Sequence, residues 1–312
     1  MTKIAITGAT GFIGRHLLDA LAPRARIRAL TRRPQPTRAG VEWVEGSLEN
    51  EAALASLLAG ADVVIHCAGL VKARRRAEFF DCNVVGTERL LAAVADRAPA
   101  ARLIHISSLA ARAPHLSAYA ASKRAAEDLV RERPRGEQGR WLIVRPPGVY
   151  GPGDREILRL IRAAARGILP VPGRLGNRVS LIFAPDLARL VADLVHAGAP
   201  WGRILEVDDG RAGGYDYRDL AKVLSEVLAR PVRPFVLPSP ALYGLAATAE
   251  LLGLLAPRPA MLSRDKVREL LHPDWVAGGG DGSVVHTHPA TPTDLDAGLR
   301  ESCAWARRQG LL

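Results

Sequence analysis

A chain of 312 residues with 43 Lys and Arg against 32 Asp and Glu, a net charge of +11, is long enough for one large or two modest domains with a sizeable buried core. Aromatic residues make up only 5 % of it, and the short clusters Arg32-Arg33, Arg74-Arg75-Arg76 and Arg307-Arg308 have no interleaved rings for base stacking. The charge therefore reads as solvated surface, not a nucleic-acid tract. Cys67, Cys82 and Cys303 are scattered without metal-ligand spacing, no leader precedes the first strand and no apolar run reaches membrane-spanning length, so the expectation is a cytoplasmic chain with no metal and no membrane partner.

The first element carries the most information. An apolar strand over 3–7 runs straight into Gly8, Gly11 and Gly14, and Leu17, Leu18 and Leu21 then recur at helical spacing. Strand, spaced glycines and helix together predict a dinucleotide-binding turn: Gly8 for the tight turn, Gly11 for close approach of the pyrophosphate, Gly14 for helix–sheet packing. Thr10, Phe12 and Ile13 belong to the same turn, and the helix N-terminus faces phosphate.

Strands over 26–31 and 42–45, a helix over 51–58 and a strand over 62–67 follow. Next come a helix over 77–95, a strand over 102–106, a helix over 119–131 and a strand over 141–145. This alternation predicts an α/β fold, a Rossmann-type doubly wound sheet of six or seven parallel strands. After Arg145 the texture changes: Pro146-Pro147-Gly148 and Gly151-Pro152-Gly153 flank Tyr150. Residues 1–150 are read as the nucleotide-binding domain, with sheet-completing segments at about 178–210, and 151–312 mainly as a smaller C-terminal substrate-binding lobe. Later expectations are helices over 157–166, 185–196, 217–228 and 295–308, and strands over 179–183 and 204–207. An apolar helix-like run covers 241–256, and a flexible loop is expected at the glycines of 278–282.

Tyr119 and Lys123 stand four apart at the start of a helix and so share one face. A phenol ordinarily titrates near pH 10 and a neighbouring ammonium favours its phenolate, which makes Tyr119 a usable acid or base. Such a pair also occurs by chance on surface helices. Eleven residues upstream, however, the strand over 102–106 ends in Ser107-Ser108, where a hydroxyl reaches the crevice of the glycine turn. Ser108 could hold a substrate oxygen while Tyr119 exchanges its proton; the competing reading of either serine is a helix or turn cap.

The ordered motifs Thr7–Gly14, His66-Cys67-Ala68-Gly69, Asn83-Val84-Val85-Gly86-Thr87, Ile106-Ser107-Ser108, Tyr119-Ala120-Ala121-Ser122-Lys123 and Arg145–Gly153 resemble those of the extended short-chain dehydrogenase/reductase family. That family includes NAD(P)-dependent epimerases and dehydratases, 3β-hydroxysteroid dehydrogenase-like and dihydroflavonol reductase-like enzymes. The resemblance covers at least residues 3–187. It implies Tyr119 as general acid/base, Lys123 as the group that lowers its pKa and binds the nicotinamide ribose, and Ser108 as the group that polarises the substrate oxygen. It also implies Asn83 either in a proton relay or satisfying backbone groups, Ala68 and Gly69 beside the nicotinamide, and Pro146 and Val149 flanking nicotinamide or substrate. A homodimer through the helices around 83–95 and 119–131 is implied as well.

Thr31 stands where relatives that prefer NAD carry an acid, and Arg32 and Arg33 follow, which favours NADP(H) over the alternative NAD(H). At the adenine end Gly46-Ser47-Leu48 replaces the commoner Gly-Asp-Leu, leaving Ser47 as an uncharged acceptor. Members that act on nucleotide sugars tend to carry a longer insertion between these serine and tyrosine motifs and a differently placed arginine, so by this resemblance the short gap from Ser108 to Tyr119 and Arg178 in a non-matching segment argue against a nucleotide sugar, although Lys72, Arg155 and Arg178 could still attract an anionic substrate. The expected function is hydride transfer between nicotinamide C4 and a small-molecule carbonyl or alcohol. A sugar epimerase or dehydratase is the second reading, and a non-catalytic NADP-binding scaffold the third.

Overall fold

The computed structural model describes residues 1–132, 140–195, 198–253, 262–278 and 284–312. The chain divides into two units, the first of Met1–Arg145, Ala188–Glu206 and Gly280–Val285, the second of Pro146–Leu187, Val207–Gly279 and His286–Leu312. In the first, β1 (Lys3–Thr7), β2 (Arg26–Thr31), β3 (Val41–Glu45), β4 (Val63–His66), β5 (Arg102–Ile106) and β6 (Trp141–Arg145) lie in the order β3-β2-β1-β4-β5-β6. The strand Arg203–Val207 pairs beside β6, and Val284–Thr287 completes an 8-stranded sheet. The seven strands from β3 to Arg203–Val207 pair in parallel. The central strands are buried on both faces, which is why they read as unbroken apolar runs in the sequence. The edge strand Val284–Thr287 was not foreseen, because four residues, none of them buried, carry no such run.

Helices of the first unit include α1 (Phe12–Leu21), α2 (Glu51–Leu58), α3 (Arg76–Phe80), α4 (Gly86–Arg97) and α5 (Ala118–Arg131). Leu54 and Leu57 of α2 and Leu90 and Val94 of α4 pack with Val64, Leu103 and Ile143 of the sheet. Each such fully buried side chain stabilises the fold by roughly 1.5–3 kcal/mol. Strand order reverses at β1, so a crevice opens between β1 and β4 at their carboxyl ends.

The uninterrupted helix expected over 77–95 is a correction: α3 gives way to a π-helical turn at Asp81–Val85 before α4 begins. Such widened turns are uncommon and mark places where a helix residue has another task. Here it is Asn83, whose side chain bonds the backbone of Leu70 on both sides of the amide.

In the second unit the strands pair two by two and in parallel: Gly148–Tyr150 with Leu181–Phe183, Ile168–Pro172 with Arg233–Leu237, and Arg178–Val179 with Asp274–Trp275. The strand expected over 179–183 is broken at Ser180, whose hydroxyl donates to Asp208 Oδ2 at 2.9 Å. Pro170, Pro172 and Pro234 hid the pair Ile168–Pro172 and Arg233–Leu237 from sequence reading, since proline removes ladder donors. Tyr150, Phe183, Leu224 and Leu299 form part of this unit's core. The apolar run is a helix, Ser239–Gly253, with Leu242 and Ala246 packed on Val267 and with Leu245, Leu251 and Leu252 exposed. Residues 254–256 of that run, His196 at the end of the expected 185–196 helix and the glycines at 279–282 lie outside the described residues. Among the described residues no helix is long and apolar enough to cross a membrane.

Candidate active site

The glycine turn is dictated by close approach. Gly8 has φ +74°, and a Cβ on it would lie 2.5 Å from the Ala68 nitrogen; a Cβ on Gly14 would lie 2.1 Å from the Gly8 carbonyl oxygen. Gly11 starts α1 without a side-chain cap, so the helix presents open N–H groups at a cavity of about 510 Å³. Gly8, Thr10, Gly11, Arg32, Ser47, Leu48, Ala68 and Gly69 line that cavity. Its size suits a cofactor site, and its uncapped helix end suits phosphate, so the residues present fit a dinucleotide. Phe12 and Ile13 are not among its lining residues and belong to the first turn of α1. Arg33 is exposed and outside the lining, while Pro146 and Val149 fall in the second unit.

Lining residues that sequence reading did not single out include Leu30, Glu49, Leu70, Glu78, Asp81, Cys82 and Arg89. Asp81 and Cys82 stand three and four residues after Glu78, a helical spacing that was legible beside the Asn83 motif. A second cavity of about 420 Å³ lies at the amino ends of β1 and β2, lined by Lys3, Arg26 and Arg28. It is at the wrong end of the sheet for this chemistry.

Two of the candidate residues, Asn83 and Lys123, approach Gly69. Ser117 caps α5 by accepting from the Ala120 N–H at 2.9 Å, which sets the register that carries Tyr119 and Lys123. Lys123 is buried and its Nζ donates to the Ile106 carbonyl at 2.8 Å. Burial pulls its ammonium below the ordinary lysine value, partly offset by Cys67 and Glu127. A Cβ on Gly69 would sit 3.1 Å from Asn83 Oδ1 and 3.9 Å from Lys123 Nζ, so Lys123, Asn83 and the end of β4 converge there. Tyr119 is half-buried, its ring tilted 57° to that of Phe79 at 6.0 Å.

The two serines separate cleanly. Ser107 is buried and donates to Glu127 Oε1 at 2.5 Å. Ser108 caps the short helix Leu109–Arg112 by accepting from the Ala110 N–H at 3.2 Å, which leaves its hydroxyl proton for donation. The capping role weighed from the sequence is therefore real, and it is compatible with a second partner. Asn83 spends its amide on Leu70 N–H, Leu70 C=O and Ser122 Oγ.

Beneath these groups lies a buried ion cluster. Arg145 grips Glu127 through two hydrogen bonds, at 2.9 and 2.6 Å, and reaches Glu206 at 3.4 Å, while Arg112 stands 3.7 Å from the other Glu206 oxygen. Glu127 thereby ties α5 to the ends of β5 and β6.

His66 and His105, in ring contact at 5.2 Å, are also buried. Burial first, and the Lys123 charge second, pull His66 down to about 3 and hold His105 well below its ordinary value. Both rings are neutral when folded and take up a proton when unfolded below about pH 6.5. Their contribution to stability is complete above that pH and is lost as pH falls toward 3, at about 1.4 kcal/mol per pH unit for each ring. Urea midpoints are expected to drop steadily from neutral pH downward; a flat profile from pH about 7 to 5 would contradict this assignment.

Residues 4–204 match the NAD dependent epimerase/dehydratase family. The chain is 43% identical over 279 residues to a ceramide reductase of Caulobacter vibrioides (strain NA1000 / CB15N), covering 87% of this chain and 85% of that one. It is 35% identical over 183 residues to a 4-hydroxy-2-methyl-3-oxo-4-farnesyl-3,4-dihydroquinoline-1-oxide ketoreductase of Stigmatella aurantiaca, covering 52% of this chain and 54% of that one. The fold is similar to that of UDP-glucuronic acid 4-epimerase from Bacillus cereus in complex with NAD, with TM-score 0.70, 20% identity and 99% of each chain covered. Reductases and dehydrogenases recur among the relatives, including a 3 beta-hydroxysteroid dehydrogenase/Delta 5-->4-isomerase of Mycobacterium tuberculosis (strain CDC 1551 / Oshkosh) that is 26% identical over 260 residues, covering 74% of this chain and 68% of that one. The chain belongs to the NAD dependent epimerase/dehydratase family.

Proposed function

We propose that this enzyme is an NADPH-dependent reductase of a ketone on a long-chain, N-acylated amino-alcohol lipid of the ceramide type. The observation that carries the reading is the set formed by Tyr119, the buried Lys123 ammonium and the donor-competent Ser108, in a chain 43% identical to a ceramide reductase. A bound nicotinamide supplies hydride at its C4. Ser108 donates a hydrogen bond to the ketone oxygen, Tyr119 delivers the phenolic proton to that oxygen as it gains charge, and Lys123 keeps the phenol acidic enough to do so.

Two features favour an apolar substrate over a nucleotide sugar. The Arg178 guanidinium is spent on the backbone carbonyls of Gly213 and Gly214, so it is not available to a diphosphate. The helix Ser239–Gly253 carries apolar surface, with Leu245, Leu251 and Leu252 all more than half exposed. The test is consumption of NADPH by the purified chain with a ketone-bearing ceramide, set against a nucleotide-sugar ketone. Turnover of the sugar alone, or retention of tightly bound cofactor with no net redox change, would favour the epimerase reading.

For NADPH over NADH the support is Arg32, exposed and lining the cavity just after β2, with Thr31 in place of a carboxylate. Arg32→Ala is expected to weaken NADPH binding by about tenfold and leave NADH binding within about twofold, as read by titration. Equal affinity for both cofactors in wild type would overturn this preference. A cytoplasmic location and a homodimer through the helices around 83–95 and 119–131 complete the reading, and analytical ultracentrifugation tests the dimer.

A further inference from the structure

The end of β4 is held by one continuous hydrogen-bond chain that also fixes the tautomer of a buried ring. The Thr87 hydroxyl lies 2.6 Å from the Asn83 carbonyl, which can only accept, so the hydroxyl proton points there. Toward His66 Nε2, at 2.9 Å, Thr87 then offers lone pairs alone, and Nε2 must carry the hydrogen. In a neutral ring Nδ1 is therefore bare and accepts from the Thr7 hydroxyl at 2.7 Å. Thr7 Oγ1 in turn accepts from the Ala68 N–H at 3.3 Å. Every hydrogen runs in one direction, from the Ala68 amide through Thr7, His66 and Thr87 to the Asn83 backbone.

The same loop is held again two residues on. Asn83 Oδ1 accepts from the Leu70 N–H at 2.7 Å, and its Nδ2 donates to the Leu70 carbonyl and to Ser122 Oγ. Ser122 donates to the Tyr119 carbonyl at 2.8 Å. Residues 67–70, which line the cofactor cavity, are thus pinned at Ala68 and at Leu70, and His66 with Thr87 is the strut between the two pins.

We propose that His66 is a positioning residue, a neutral Nε2–H imidazole that sets the cofactor-facing loop at Ala68–Leu70 in register with Asn83 and, through Ser122, with the backbone of Tyr119. The inference rests on the nicotinamide part of the reading above and not on the identity of the lipid. The ring has reason to stay neutral: it is sealed from water, packed on His105 and repelled by the Lys123 charge.

The first test is the side-chain ¹⁵N spectrum of the histidines in the full chain, assigned by loss of the His66 signals in His66→Gln. His66 is expected as the Nε2–H tautomer, unchanged from pH about 7.5 to 5.5; an Nδ1–H or doubly protonated ring in that range would overturn the proposal. The second test is NADPH and NADH titration of Thr87→Val and Thr87→Ser. Thr87→Val is expected to weaken cofactor binding about tenfold and to let the two His66 tautomers mix, while Thr87→Ser restores both. Wild-type affinity and spectrum in Thr87→Val, or a serine variant as impaired as the valine variant, would sink the idea. Should Thr87→Val fail to fold, the wild-type spectrum and the serine variant still decide. Wild-type protein that binds neither cofactor would strike the nicotinamide reading instead and leave the tautomer result standing.

Discussion

Replacing Tyr119 by Phe is expected to lower kcat for ketone reduction by about two to four orders of magnitude, with cofactor affinity held within about threefold. Phenylalanine keeps the half-buried ring and its packing on Phe79 and removes only the proton donor. The loss therefore falls in the chemical step, and single-turnover kinetics with titrated NADPH separates it from binding. Lys123→Met should approach the same kcat, because it removes the charge proposed to assist the phenol, and should also weaken cofactor binding. The pH profile follows in sign. The proposed mechanism needs a protonated phenol and a charged Lys123, so kcat/KM is expected to fall as pH rises through either group. Burial of Lys123 brings that limb below the ordinary lysine value of about 10.4. An unaltered kcat in Tyr119→Phe would remove the catalytic assignment altogether.

The second large effect is on stability. Arg145→Met is expected to cost about 3–5 kcal/mol in urea unfolding, since it leaves Glu127 and Glu206, both fully buried, without their main counter-charge. Arg112 stands 3.7 Å from Glu206 and softens the loss without replacing a two-bond grip on Glu127. The double variant Arg145→Met/Glu127→Leu should cost less than the sum of its single variants, because an apolar pair no longer strands a charge. A loss under about 1 kcal/mol for Arg145→Met would mean that the cluster contributes specificity and not stability. Because Glu127 also takes the Ser107 hydroxyl, the folded fraction of Arg145→Met should show a reduced kcat.

Much of the architecture was legible in the residues. The strands β1, β2, β5 and β6 and the helices α2 and α5 could be bounded within a residue, because a parallel sheet covered on both faces writes long apolar runs and amphipathic helices write a 3.6-residue period. The edge strand Val284–Thr287, the proline-bearing pair Ile168–Pro172 and Arg233–Leu237, and the π turn at Asp81–Val85 were not legible. Each owes its conformation to a partner far along the chain. Among the candidate site residues, Gly8, Gly11, Gly14, Tyr119 and Lys123 announced themselves through spacing that geometry requires. The choice between Ser107 and Ser108 did not, for only the fold brings Glu127 to Ser107 and spends its hydroxyl.

Local chemistry alone determined the glycine turn, the Tyr119–Lys123 face and the absence of a carboxylate after β2, since each is settled within a few residues of sequence. Tertiary structure alone decided where the buried charges go. Glu127 and Glu206 lie 79 residues apart, with Arg145 between them, and Thr7 and Thr87 lie 80 apart, with His66 between them, yet each set becomes one cluster. The physical reason is that burying a charge or polar group without a partner is costly, and the partner that satisfies it is chosen by strand order and not by sequence distance.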